Sequence, residues 1–290
     1  MKVSAFTFLR NAQKLGYPFA QSIRSILPIV DEFIIALGPS DDGTEAKVRE
    51  IGDPKIRIIN TQWNEHIRND LNIKGFVYGQ QKSIGLFNCT GDWAFYLEGD
   101  ELVHEDDLPK IQEAMHTHLD NRQVEALFFN YIHFFGNKNT YAWCPSWYRT
   151  APRIVRNNIP IWAPKGLFFM VLENKRRARY PKAAAAGARI FHYGNIRSQE
   201  QWNMKTMAVY KYWNNVPKLF DYADIDAQIL KPFTGTHPAV VQEWLPPAEG
   251  LYQPPPGRRL TLDDYRHRVM AKFENWLGLD FTHKHYSRVA

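Results

Sequence analysis

The sequence predicts an α/β fold: a mostly parallel sheet flanked by helices, with a C-terminal helical appendage. Three observations carry this. Apolar runs of strand length alternate with one-sided helical stretches over residues 1–120. Polar segments follow directly on three of those apolar runs. A proline-rich stretch from Pro246-Pro247 to Pro254-Pro255-Pro256 sets off a last amphipathic segment. Alternating strand and helix covers both faces of a parallel sheet.

The elements read as follows. Val3 to Phe8 is a buried strand. Pro18 opens a helix whose apolar face holds Phe19, Ile23, Ile26 and Leu27, and Pro28 ends it. Glu32 to Leu37 is a second strand. Thr44 is expected to cap a helix carrying Val48 and Ile51. Ile56 to Ile59 is a third strand. Phe76, Gln80, Ile84 and Phe87 share one side of a helix, and Trp93 to Leu97 is a fourth strand. Leu108, Ile111, Met115 and Leu119 line the next helix. Glu125 to Phe135 is a long aromatic strand, followed by short strands at Arg153 to Arg156 and Ala188 to Tyr193. Ser198 and Gln201 spell a capping box opening a helix to about Asn214. Thr261 starts the last helix, with Tyr265, Val269, Phe273 and Trp276 on one face and Gly278 as its stop. The expected organisation is a domain over 1–215, made of a ligand-binding part (1–120) and a second part (121–215), then an extension over 216–290.

Composition narrows the class. Hydrophobic residues make up 44% and aromatics 14%, enough for a sizeable core. No stretch approaches the roughly 20 apolar residues of a membrane span. The N-terminus reads as a strand rather than a signal peptide. Cys89 and Cys144 read as reduced thiols, since their number and spacing suit neither a disulfide scaffold nor zinc. Cytoplasmic placement is the expectation. The net charge is +6, unevenly spread. Between Glu125 and Glu200 the only acid is Glu173, amid twelve basic residues that include Arg149, Arg153, Arg156 and Arg197. Such asymmetry predicts an anion-facing side, which also suits peripheral contact with the inner face of a membrane.

In open parallel sheets, ligands bind outside the carboxyl ends of the strands. Three polar segments sit there: Arg10-Asn11, Ser40-Asp41-Asp42-Gly43-Thr44 and Glu98-Gly99-Asp100-Glu101. Carboxylates one residue apart at a strand exit can share a hard cation such as Mg²⁺ or Mn²⁺, which takes oxygen ligands and substrate phosphates. An ordinary acidic turn is the competing reading of that segment. Trp143, Trp147, Tyr148 and Trp162 suit stacking on sugar rings or core packing equally.

These residues resemble family 2 and related GT-A (Rossmann-like) glycosyltransferases. The resemblance lies in FLRNAQKLGYPFAQSIRSILPIVDEFIIALG, in the Ser40-to-Thr44 turn, in GDWAFYLEGDE, and in Phe191-His192-Tyr193-Gly194, which is similar to the HYG element of a bacterial branch. It covers roughly residues 1 to 215. The resemblance implies a nucleoside-diphosphate-sugar donor, a carbohydrate or glycolipid hydroxyl acceptor, and Mn²⁺ or Mg²⁺. It places Thr7, Arg10, Asn11, Ser40, Asp42, Thr44, Glu98 and Asp100 at the donor. It makes Asp100, Glu98 and His192 the metal ligands. Asp100, Glu101 and Glu173 are the candidate catalytic carboxylates, and Arg149, Arg153 and Arg156 the candidate phosphate or acceptor clamps. Leu37 and Gly38 stand where many members carry a uracil-reading Asp, so guanosine, thymidine and cytidine donors stay open.

Two alternatives were weighed. Nucleotidyl transfer usually shows a glycine-rich loop after the first strand, and Phe8-Leu9-Arg10-Asn11-Ala12 has none. Nucleic-acid binding would use the basic tract, but no signature for it is present. No nucleic-acid partner is expected. The last helix either docks on the domain or pairs with another subunit.

Overall fold

A computed structural model of the chain describes residues 1–64, 66–67, 74–212, 219 and 221–289. Four parallel strands form its N-terminal half: β1 (Val3–Leu9), β2 (Glu32–Leu37), β3 (Ile56–Asn60) and β4 (Trp93–Tyr96). They lie in the order β3-β2-β1-β4, with Phe6 opposite both Ile34 and Tyr96. Successive side chains on a strand face opposite ways. Phe33 and Ile35 therefore join one core with Phe19, Ile23 and Phe95, while Ile34 joins another with Phe6, Leu86 and Tyr96. Helices α1 (Phe19–Ile26), α2 (Thr44–Glu50), α3 (Phe76–Phe87) and α4 (Leu108–Thr117) alternate with these strands, as their periodicity predicts.

The second half extends the same sheet. A short β5 (Glu101–Val103) is followed by β6 (Ala126–Phe135), β7 (Asn137–Ala142) and β8 (Thr150–Arg156). Strand β8 runs antiparallel between β4 and β6 and joins the two halves. A separate small sheet holds β9 (Ile161–Trp162), β10 (Met170–Asn174) and β11 (Arg177–Arg179). The next strand, β12 (Lys182–Asn195), starts well before Ala188. Its alanines at 183 to 185 pair with Ala126 to Phe128, so a small-residue run lies flat against an aromatic strand.

Helix α5 (Gln199–Tyr210) opens with the predicted capping box, and Asn214 lies outside the described residues. The C-terminal stretch adds β13 (Leu230–Pro232) beside β7, helix α6 (Leu262–Leu277) and β14 (Ser287–Arg288) beside β12. Helix α6 has a Thr261–Asp264 capping box and stops at left-handed Gly278. Both cysteines are free and buried. No described helix is long and apolar enough to cross a membrane.

Candidate active site

The exits of β1 and β4 open onto a pocket of about 240 Å³, lined in part by Arg10, Tyr17, Trp63, Tyr78, Glu98 and Lys205. Its aromatic wall is built edge to face. Trp63 meets Tyr78 at 5.3 Å and Tyr212 at 5.5 Å between ring centroids. Arg10 lies 5.2 Å from the Trp63 ring and donates to the Tyr212 hydroxyl at 2.9 Å. A flat, partly polar ring system fits such a wall.

The turn at Ser40 to Thr44 packs against the loop after β1. Gly43, at φ 78°, is the residue preceding α2, and Thr44 is the first helical residue rather than its cap. Thr44 Oγ1 instead accepts from the backbone N–H groups of Ala12 (2.9 Å) and Gln13 (3.2 Å). Asp42 Oδ2 accepts from Lys14 N at 2.7 Å, and Ser40 Oγ from Asn11 N at 3.0 Å. Asn11, left-handed at φ 50°, accepts from Asp41 N at 2.9 Å. Ser40, Asp42, Thr44 and Asn11 thus brace the loop after β1. Thr7 is buried within β1, so of the first-strand candidates Arg10 is the one facing the pocket.

The three acids of the next motif have three fates. Glu101 is fully buried. Arg153 grips it in a bidentate pair (Nη2 to Oε1 2.6 Å, Nε to Oε2 2.8 Å), and the Tyr131 hydroxyl donates to Oε1 at 2.9 Å. Burial would raise the Glu101 carboxyl, but Arg153 outweighs it and holds it below the ordinary range. A carboxylate so enclosed and paired has no surface open to the pocket. Glu98 keeps 30% side-chain exposure, lines the pocket and stands 3.6 Å from Arg153. Burial and the neighbouring Glu101 push it up to about 7.

Asp100 is 1% exposed. Its Oδ2 accepts from Lys205 Nζ at 3.0 Å and from Arg197 Nη2 at 3.2 Å. Burial alone would raise its carboxyl; Lys205, first among its neighbours, reverses that and holds it well below the usual range. Its Oδ1 lies 3.7 Å from His192 Nε2. Sheet register explains the meeting. His192 on β12 pairs with Glu101 on β5 and with His133 on β6.

The protonation of this histidine pair follows from its partners. His133 Nε2 lies 2.8 Å from the Tyr148 carbonyl, which can only accept, so that nitrogen carries the proton. Burial holds His133 well below its ordinary pKa and lowers His192 as well, so both rings are neutral near pH 7. His133 Nδ1 is then a lone pair, and His192 Nδ1, at 2.9 Å, must donate to it. His192 Nε2 is left as a bare lone pair facing the Asp100 carboxylate. Lys205 and Arg197 engage Asp100 Oδ2, so the edge open to a further cation is the one between Oδ1 and His192 Nε2. Gly194 keeps that space open: a Cβ there would sit 2.5 Å from His192 Nε2 and 2.9 Å from Asp100 Oδ2.

The donor set of Asp100 and His192 therefore fits a divalent cation completed by substrate phosphates. Glu98 is directed to Arg153 and the pocket, so the expected three-ligand set is not gathered. Among the described residues no group of three or more His, Cys, Asp or Glu is placed to hold a metal.

The basic tract is divided: Lys175, Arg176, Arg177, Lys182 and Arg189 are exposed, while the three candidate clamps are engaged within the protein, so the tract does not form one anion-facing side. Arg153 is buried on Glu101. Arg149 pairs with Glu274 at 2.5 Å and stacks on Trp143. Arg156 donates to the carbonyls of Val124 (2.6 Å), Leu119 and Asn121 (both 2.9 Å) and His118. Arg179 pairs with Glu125. None of the three candidate clamps lines the pocket. Glu173 is exposed on β10, paired with Arg177 at 3.0 Å and Arg179 at 2.9 Å, so it is not the crevice carboxylate sought.

Sequence reasoning missed His133, Lys205, Tyr17, Lys82 and the role of Gly194. Lys82 is fully buried, donating to the Gly166 carbonyl at 3.0 Å with the Tyr96 and Phe169 rings at 3.9 and 3.8 Å. His133 carried one signal, a histidine in an otherwise apolar strand, where buried polar groups need partners.

Residues 18–169, just over half of the chain, match the profile of glycosyl transferase family 2, and the chain belongs to that family. Solved structures similar to it include S. aureus TarS 1–349 in complex with UDP, at 14% identity over 54% of this chain and 47% of that one, with a TM-score of 0.37. Another is glucosyl-3-phosphoglycerate synthase from Mycobacterium tuberculosis, in complex with Mn²⁺, UDP and phosphoglyceric acid. It is 18% identical over 46% of this chain and 43% of that one, with a TM-score of 0.31. The chain thus spans less than half the length of these proteins. No curated protein matches the sequence.

Proposed function

We propose that the protein transfers a sugar from a nucleoside-diphosphate donor to a hydroxyl of a carbohydrate or glycolipid acceptor, with Mn²⁺ or Mg²⁺ bound by Asp100 and His192. The observation that carries this is the Asp100–His192 pair, with no Cβ at Gly194 to fill the space beside it and with Lys205, which lines the aromatic-walled pocket, donating to Asp100. A cation held by Asp100 and His192 would, when bound, supply positive charge against the departing diphosphate. Trp63, Tyr78 and Arg10 offer the wall for the nucleoside base. Lys205 lines the same pocket and brings a further positive charge to its floor beside Asp100. Fixed charges in a dry pocket act on a developing anion more strongly than charges in water do. In the reaction the acceptor oxygen bonds to the anomeric carbon, the diphosphate leaves with the electron pair of the broken carbon–oxygen bond, and the acceptor's proton passes to solvent.

A thermal-shift series with UDP, GDP, dTDP and CDP, each with and without Mn²⁺, tests this reading. One diphosphate is expected to raise the melting temperature in a Mn²⁺-dependent way. No shift with any of them, together with donor hydrolysis unaffected by Asp100→Asn, would remove it.

A further inference from the structure

Helix α6 sits on the domain the wrong way round for a soluble amphipathic helix. Two of its three acidic side chains face inward. Asp264 and Glu274 are buried, paired with Arg258 at 2.8 Å and Arg149 at 2.5 Å. Arg268 reaches Asp226 through two bonds of 2.7 Å. Its apolar side chains face out: Leu262 is 89% exposed, Trp276 78%, and Tyr265, Val269 and Phe273 about half. None of them belongs to the four apolar clusters of the molecule. Leu279 and Phe281 extend the exposed surface beyond the helix.

We propose that this face of α6 binds an anionic lipid surface. The charge arrangement selects that occupant. On a helical wheel, Arg266 falls inside the apolar stripe and Lys272 beside it, and both are exposed. Among the described residues neither has an ion pair or hydrogen bond. Asp264 and Glu274 are engaged with the domain, which leaves Asp263, at the first turn, as the helix's one unpaired acid. A second copy packed on this face by two-fold symmetry would bring two cations from each copy into one interface, with little acid to answer them. At a bilayer, Leu262, Val269 and Phe273 enter the acyl boundary and Tyr265 and Trp276 sit at headgroup level. Arg266 and Lys272 extend to lipid phosphates. The inference does not rest on the donor reading, because lipid binding is measured without any sugar nucleotide.

Flotation of the full-length protein with vesicles of phosphatidylcholine containing about one third phosphatidylglycerol tests it, beside vesicles of phosphatidylcholine alone. The protein is expected to float with the anionic vesicles, less with neutral ones, and less at high salt. Phe273→Asp/Trp276→Asp, whose targets are exposed, is expected to lower the floated fraction about tenfold or more while keeping the wild-type melting temperature and nucleotide-induced shift. Equal flotation of wild type and variant would overturn the proposal. So would absence of flotation with a concentration-dependent dimer that the variant abolishes, which would assign the face to self-association. Lys272→Glu serves as the second variant, expected to weaken anionic binding alone.

Discussion

The acidic turn at residues 98–101 and helix α6 both carry charges inward, yet the consequences differ. In the turn, cations from distant segments converge on carboxylates closed off from water: Arg153 from β8, Arg197 from the end of β12, Lys205 from α5. Each pair there is obligatory, because a lone buried charge is costly. On α6 the pairs lie nearer the rim and fasten a helix whose apolar face stays in solvent. Enclosure makes an ion pair into architecture; at the edge the same chemistry makes a clip.

Breaking the enclosed pair should show the difference most. Arg153→Leu leaves Glu101 buried and unpaired, and urea unfolding should register a loss of about 3–5 kcal/mol. Arg268→Leu, which cuts an α6 clip but leaves Asp226 accepting from Gln228 N at 3.1 Å, should cost clearly less. Similar losses from both would erase the contrast.

Within the turn, Asp100→Asn keeps shape and removes charge. Donor turnover should fall about 100-fold in the folded variant. Retained turnover would move the cation site elsewhere.

His133 touches neither the proposed cation nor the pocket; it sets the proton position on His192. His133→Phe should weaken Mn²⁺ binding about 10- to 100-fold, read by electron paramagnetic resonance of free Mn²⁺. Unchanged affinity would show that His192 needs no such partner.

The smallest effect is expected at the clip. Arg268 holds the Asp226 carboxyl below its ordinary value, against the effect of burial. A depressed folded pKa stabilises above the unfolded value of about 3.9 and is lost as pH falls through the folded value. Hydrogen exchange in α6 should therefore gain on that in β1 and β2 as pH drops below about 3.9. In Asp226→Asn that gain should be diminished.

Much of the framework was legible. The alternation of Val3–Leu9, Glu32–Leu37, Ile56–Asn60 and Trp93–Tyr96 with helical stretches gave four parallel strands and the crevice at their ends. Asp100 and His192 were named from motif order, and the structure puts them 3.7 Å apart. Arg149, Arg153 and Arg156 misled, because a run of arginines looks the same whether its partners are phosphates, buried carboxylates or carbonyls. The last helix was left open between docking on the domain and pairing with another subunit: its stripe was visible, and the side it presents to the domain was not.

By itself, the sequence determined what depends on neighbours along the chain: strand and helix periods, the capping boxes at Ser198 and Thr261, and the acidic exit after β4. Only the tertiary structure decided what depends on partners far apart in sequence. It set Arg153 on Glu101, Lys205 on Asp100, the His192 lone pair through His133 and Tyr148, and the outward face of α6. Local periodicity fixes which residues share a face, but burial and charge pairing across the fold fix which face is inside.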